Sequence, residues 1–468
     1  MRTALRHVSP YSGSWYPGDA AELRGLLDRL FAESARRTGP YLPARAAGFV
    51  VPHAALIYSG TVAASVYRHI GALAPARIIL IGFSHHGMRR GVWIPDVDAI
   101  ETPLGEVEVD RDFAAALAFE TGVEQALCDH SVEIQLPLLQ AAAPATRIVP
   151  VYVSPLDPEA RRAAAGRLAS LLGPDTILVA SSDFTHYGRG FSYQPFPVDE
   201  LTPMRLRELD ESVIEAAGTL AADEFMRALE SSGATVCGRA PIALLLETLG
   251  RGGEIYQERL DYQTSGEITG GFHQSVSYAA LGYFPASAFE IGPEEGRSLV
   301  ESARRTLARY LETGERNSIP ARGPDPALDR RAGVFVTLHS QGRLRGCIGR
   351  MAPGEPLRQT VPSLALSAAL DDTRFPALTA GEPPLDVEIS VLSPMKRIAS
   401  LEQFRVNEHG ALLEAGHARA LLLPQVALER GWSAAQFFEA LAHKAGVRTD
   451  AYANASTKVF VFRAQVIR

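Results

Sequence analysis

The sequence predicts two bodies. The first, residues 1–285, reads as an α/β domain layered around a largely parallel central sheet, and the second, residues 296–468, as a smaller α+β domain. Three observations predict this. Short apolar runs alternate with helical patterns through the first part, as in units that build a parallel sheet. Three of those runs lead directly into polar clusters that contain histidine. Beyond the first body the runs become paired and strictly alternating, the mark of antiparallel strands buried on one side. Residues 286–295 mix Pro, Gly and Glu without periodicity and read as the linker.

The elements follow in order. Asp19-Ala20-Ala21-Glu22 resembles a capping box, and Leu23, Leu26, Leu27, Leu30 and Phe31 then recur at helical spacing. Residues 48–51 form a short apolar run that ends at His53, and Val62, Val66 and Ile70 predict a helix after it. Residues 77–81 are a second buried run, ending at His85, and residues 148–153 a third. Asp157 and Pro158 open a helix that Gly173-Pro174 closes. Residues 176–179 lead into Asp183 and His186, and residues 275–284 alternate towards a last strand. In the second body a helix begins near Gly296, with Leu299, Ala303, Leu307 and Leu311 on its apolar face. Residues 317–331, rich in Pro and Arg, read as a loop. Residues 334–338 and 344–348 are strands joined by a Ser-Gln-Gly-Arg turn, residues 386–391 alternate cleanly, and a helix returns at 432–445.

A chain of 468 residues exceeds a typical single core, which fits two domains. Hydrophobic residues make up 46% and charged ones 21%, the balance of a globular protein in water. The net charge of -7 argues against wholesale wrapping of nucleic acid, and the basic stretch 322–331 lacks the interleaved aromatics of a single-strand binder. Cys128, Cys237 and Cys347 are too few and too scattered for a disulfide framework, and no run approaches the ~20 apolar residues of a membrane span. The expectation is a cytoplasmic protein that contacts neither membrane nor nucleic acid. No phosphate-binding glycine loop, nucleophile elbow or Cys-x-x-Cys pair occurs.

The candidate chemistry lies in the clusters. His53, His85 and Cys237, with His186 and Asp183 close to the run ends, offer two imidazoles and a thiolate, a set that suits iron, copper or zinc. A single histidine is more often structural, and His7, His69, His273, His339, His409, His417 and His443 are read so. His53, His85 and His186 differ because each closes an apolar run, where open α/β sheets gather ligands; the competing reading is that they cap strands. His85 and His86 are adjacent, so only one can face the pocket. Gly238 and Arg239 predict a tight turn and a positive field that lowers the Cys237 thiol pKa. His130 and Glu133, three apart, share a helical face and read either as a proton carrier behind the site or as a plain surface pair. Cys347, flanked by Gly346 and Gly349, is either a small buried thiol in a sheet or a reactive cysteine with Arg345 nearby. The glycines there predict close approach of another backbone or a ligand.

These same residues carry a family resemblance. Gly13-Ser14-Trp15-Tyr16-Pro17, Pro52-His53-Ala54, Tyr58-Ser59-Gly60, Ser84-His85-His86, His130-Ser131-Val132-Glu133, Ser181-Ser182-Asp183-Phe184-Thr185-His186 and Cys237-Gly238-Arg239 stand in the order of the Memo family. That family is similar in fold to the class III extradiol dioxygenases (LigB-like). The second body, with Leu344-Arg345-Gly346-Cys347-Ile348-Gly349 and Asp372-Thr373-Arg374-Phe375-Pro376, resembles the AMMECR family. Together they look like components B and A of the AmmeMemoRadiSam system, fused. The resemblance implies metal ligands at His53, His85 and Cys237, a pocket lined by His186 and Asp183, and His130 near the active site. It implies iron, with copper as the other metal, and a radical-SAM protein as partner.

Two departures stand out: His53-Ala54-Ala55-Leu56 where relatives usually carry His-Ala-Gly-Tyr, and Gly82-Phe83-Ser84 where they carry Gly-Pro-Ser. Ring-cleaving extradiol enzymes use two His and a carboxylate, so a thiolate here would donate more electron density and would itself be oxidisable. The expectation is a ferrous-iron-centred redox or dioxygenase-like protein with an unidentified small-molecule or peptide substrate. His186 and His130 would move protons, with Asp183 orienting an imidazole. The alternative is a metal-binding or peptide-docking module without turnover.

Overall fold

The structure is a computed structural model that describes residues 5–86, 90–122, 129–352, 354–454 and 457–468. The chain divides into two compact units, Met1–Ala288 and Phe289–Arg468.

In the first unit the strands Gln274–Pro285, Gly48–Val51, Thr176–Ser181, Arg77–Gly82 and Arg147–Val153 lie side by side in that order. The last four run parallel, while Gln274–Pro285 is antiparallel to its neighbour and further antiparallel pairs flank both sides. The sheet is therefore mixed, parallel at its centre. The central strands are apolar along nearly their whole length because helices cover both faces. Phe49 packs against His69 on the helix Leu56–Leu73, whereas Val50 turns to the core it shares with the helix Arg239–Leu249. Register sets the site: Val51 pairs with Ser181, and Ile81 with Ala180. Three neighbouring strands thus end level, about 4.8 Å apart, and the loops leaving them carry His53, Asp183 and His85. Asp19 caps the helix Ala20–Thr38 by accepting the Ala21 and Glu22 N–H groups at 2.8 and 2.9 Å, as the cap pattern predicts.

The second unit holds two antiparallel sheets. In one, Arg343–Arg350, Val334–Ser340, Asp386–Leu392 and Ala464–Ile467 pack one face on the helices Pro293–Thr313 and Leu357–Leu370. In the other, Gly410–Ala415 and Ala418–Leu422 pack on the helix Ala434–Ala445. The Gln341-Gly342 turn has φ of 52° and 75°, the double positive φ of a tight hairpin. The stretch 286–295, expected to be irregular throughout, holds a short 3-10 turn at Ala286–Phe289 and opens the long helix at Pro293. Pro293 pre-sets the helical φ, and Glu294 and Glu295 favour the positive helix end. No helix among the described residues is long and apolar enough to cross a membrane.

Candidate metal centre

His53 leaves its strand with its backbone held. Asp183 Oδ1 accepts the N–H groups of His53 at 2.7 Å and Ala54 at 3.3 Å, tying the ends of adjacent strands together. The His53 ring is buried, its Nδ1 3.1 Å from Ser181 Oγ and its Nε2 3.1 Å from Cys237 Sγ. Gln135 Nε2 donates to that same Ser181 hydroxyl and to the Pro52 carbonyl, at 3.1 and 2.9 Å. Cys237 arrives on the turn before the helix Arg239–Leu249. Glycine is required at 238, because a Cβ there would collide with the backbone oxygen of Ser181 and the side chain of Ser182. This closeness lets the Asp183 N–H donate to Cys237 Sγ at 3.2 Å.

A second group adjoins the first. Asp129 accepts the His85 N–H at 2.8 Å and lies 2.9 Å from His85 Nδ1. His130 stacks on His85 at 3.9 Å between ring centres, and Trp15 covers His130 at 4.3 Å. His86 points outward, 3.2 Å from the Tyr11 hydroxyl. Among the described residues, donor atoms lie within 4.8 Å of one another in three sets: His53, His85 and His130; His53, Asp183 and Cys237; and His86, Asp129 and His130. His53 joins the first two, and no set holds both His85 and Cys237.

The pocket keeps most of its groups neutral. Burial, reinforced by His85, lowers His53 to about 3. Burial likewise lowers His130 to about 3 against the pull of Asp129. Burial raises the Asp183 carboxyl, with His186 opposing. The Cys237 thiol is pushed up, first by burial and then by Asp183. The expected lowering by Arg239 does not occur: that side chain is exposed on the helix, and desolvation outweighs it. Asp129 is the exception. Burial would raise it, but the hydrogen bond from His85 and the charge of His130 hold it below the usual carboxylate range.

Other expected residues fall differently. His186 Nδ1 faces the carbonyls of Phe184 and Thr235 at 3.0 and 3.2 Å, so that nitrogen carries hydrogen and Nε2 is the free one. His186 belongs to none of the three donor sets. Among the described residues Asp183 hydrogen-bonds backbone N–H groups and no imidazole; Asp129 is the carboxylate that bonds His85. Glu133 is fully buried and lies 2.8 Å from Nε2 of His7, a histidine read as merely structural. Asp129 escaped the sequence reading, although its place as cap of the short helix His130–Glu133 was a usable sign. Cys128 and Gly87 lie outside the described residues.

In the second unit Thr337 Oγ1 donates to Cys347 Sγ at 3.3 Å, and the Cys347 N–H donates to Asp372 at 2.8 Å. Arg345 is held by Glu382 through two bonds of 2.9 and 3.0 Å rather than directed at the thiol.

Fold and site define an α/β protein with a histidine, cysteine and aspartate cluster at the carboxyl ends of parallel strands, joined to an α+β unit. The chain belongs to the Memo family: the family described as Memo-like protein matches residues 7–282, and AMMECR1 matches residues 300–467. A MEMO1 family protein of Methanopyrus kandleri is 31% identical over 287 residues, covering 58% of this chain and 96% of the relative. A protein of Methanothermobacter thermautotrophicus is 41% identical over 180 residues, 37% of this chain and 93% of the relative. The crystal structure of an uncharacterised Pyrococcus horikoshii protein shares 37% identity, covers 38% of this chain and 92% of that one, and has a TM-score of 0.35.

Proposed function

We propose that the first unit is a metal-dependent redox protein whose ion is held by His53, His85 and Cys237, with iron as the first candidate and copper or zinc as the others. One observation carries the reading: the 3.1 Å approach of His53 Nε2 to Cys237 Sγ in a buried pocket. Of the three ligands, His53 and Cys237 stand within reach of a common ion, whereas His85 shares a donor set with His53 and not with Cys237 and would have to move inward to join them. Ser181 and Asp129 occupy Nδ1 of His53 and His85 and leave the other ring nitrogen of each for coordination. His53 is already neutral, as a ligand must be, and Cys237 would have to give up its proton to bind an ion. Iron bound there would supply electron exchange with oxygen or an oxidisable substrate. His186 Nε2, at the edge of the same loop, would accept or deliver a proton.

Elemental analysis of protein purified without oxygen tests the ligand set. About one ion per chain is expected in the wild type and almost none in Cys237→Ser or His53→Ala. Undiminished metal in Cys237→Ser defeats the assignment. Oxygen uptake by the ferrous protein with a panel of phenols then separates turnover from storage: tight metal binding without uptake favours a metal-carrying module.

A further inference from the structure

The thiolate pocket leaves one histidine of the adjacent pair unused. The His86 side chain is 66% exposed, with Nε2 3.9 Å from Asp129 Oδ2 and 3.2 Å from the Tyr11 hydroxyl oxygen. His130 approaches the same carboxylate from the buried side, Nδ1 lying 3.4 Å from Asp129 Oδ1. His86, Asp129 and His130 each bring a donor atom within 4.8 Å of the other two, and the set includes none of His53, His85 and Cys237. Donors bound to one ion at ~2.1 Å stand about 3–3.5 Å apart. A small swing of the exposed His86 side chain therefore closes the set.

The other two ligands are already held. The His130 ring lies between His85 at 3.9 Å and Trp15 at 4.3 Å. The Asp129 side chain is buried, and its backbone N–H donates to the Tyr152 hydroxyl at 2.8 Å. Asp129 Oδ1 accepts the Ser131 N–H at 2.9 Å and faces His85 Nδ1 at 2.9 Å, while Oδ2 accepts the His85 N–H at 2.8 Å. An ionised carboxylate offers about four acceptor positions. Among the described residues three are taken, and the fourth falls to Oδ2, the oxygen nearest His86 Nε2. Two imidazoles and a carboxylate, open to solvent beside His86, make the ligand set of a zinc site that keeps one position free.

We infer that His86, Asp129 and His130 form a second metal site, which takes a divalent cation of the zinc kind. It is the weaker of the two sites because one ligand is exposed and has to be ordered, so it fills on titration and empties during purification. Asp129 serves both positions, fixing His85 with one side of the carboxylate and offering the remaining lone pair to the outer ion. The outer site shares no ligand with the thiolate pocket and stands or falls separately from it.

The full chain, stripped with a chelator, is titrated with zinc and, as an optical reporter, with cobalt(II). About two ions per chain are expected at saturation. Cobalt in the thiolate pocket gives a thiolate charge-transfer band, whereas cobalt on nitrogen and oxygen ligands gives only its weaker ligand-field bands. His86→Ala, at an exposed position, is expected to weaken the second ion about a hundredfold or more, beyond the cost of losing an outer partner of a ligand, and to leave the thiolate band unchanged. Cys237→Ser should do the reverse, removing the band and keeping the second ion. A single ion at saturation that Cys237→Ser abolishes overturns the inference, and so does a second ion held by His86→Ala as tightly as by the wild type. A single ion kept by Cys237→Ser and lost from His86→Ala supports the outer site and defeats the thiolate pocket instead.

Discussion

The His53–Cys237 pocket and the Leu344–Gly349 segment both look functional in the sequence, yet they are built in opposite ways. In the pocket, side chains far apart along the chain meet: His53 touches Cys237, and Asp183 bonds the backbone of His53. In the segment, the residues answer to local packing. A Cβ at Gly346 would strike the carbonyl oxygen of Ala368, on the helix Leu357–Leu370, and one at Gly349 would strike the Phe335 ring. The electrostatics differ in the same sense. Burial drives His53, His130, Asp183 and Cys237 towards their neutral forms, whereas Asp372 beside Cys347 stays ionised through its bonds to Arg374 and the Cys347 N–H. The pocket's donors are thus mostly neutral, and among the described residues no charge beside them is paired except that of Asp129. The glycine segment already has its charges paired, and its conspicuous residues hold a sheet against a helix.

The largest effect that this contrast predicts belongs to Gly346→Ala. The obstacle is helix backbone rather than a flexible side chain, so the cost is about 3 kcal/mol or more. Thermal unfolding of the second unit should fall steeply while metal content per folded chain stays constant. A variant as stable as the wild type removes the packing explanation and returns the segment to the list of binding sites.

Asp129→Asn should do the reverse. An amide keeps the shape but loses the charge that fixes His85 Nδ1, and metal affinity should drop ten- to a hundredfold. Unfolding of the second unit should not move. Metal titration by competition with a chelator gives the affinity, and an unchanged value would show that His85 needs no anchoring by a carboxylate.

Much of this was legible before any coordinates. The central strands announced themselves as unbroken apolar runs, and the parallel register then placed three run ends at one edge, so His53, Asp183 and His85 could be grouped from the pattern alone. Roles were harder. Which carboxylate faces an imidazole depends on loop paths, and nothing in the spacing distinguishes Asp183, which bonds backbone, from Asp129, which holds His85. The Cys237 field was misread for a related reason: an arginine two residues away lies on the exposed side of its helix, and burial, which a sequence does not display, decides the thiol. Glu133 pairs with His7 across 126 residues of chain, a distance no local rule spans.

The smallest effect separates the charged from the neutral environment by pH. Arg374, with help from the Cys347 N–H, holds the Asp372 carboxyl below the usual carboxylate range in the folded chain. A group depressed in this way adds stability that is complete above its unfolded value near 4, and that stability is lost as pH falls through the lower folded value. The second unit should therefore lose part of its thermal stability on acidification below about pH 4. Asp372→Asn should remove that part of the slope. Arg374 is 57% exposed, so solvent screens the pair and the shift in Tm at neutral pH is expected to be only about 2 °C. Calorimetric scans of both chains between pH 2 and 7 follow the difference. It should shrink steadily as pH falls below the unfolded value towards the lower folded one, because the wild-type carboxyl then loses its advantage over the amide. A difference that persists undiminished in acid would mean that Asp372 acts through shape alone, and that the two regions do not differ in charge as described.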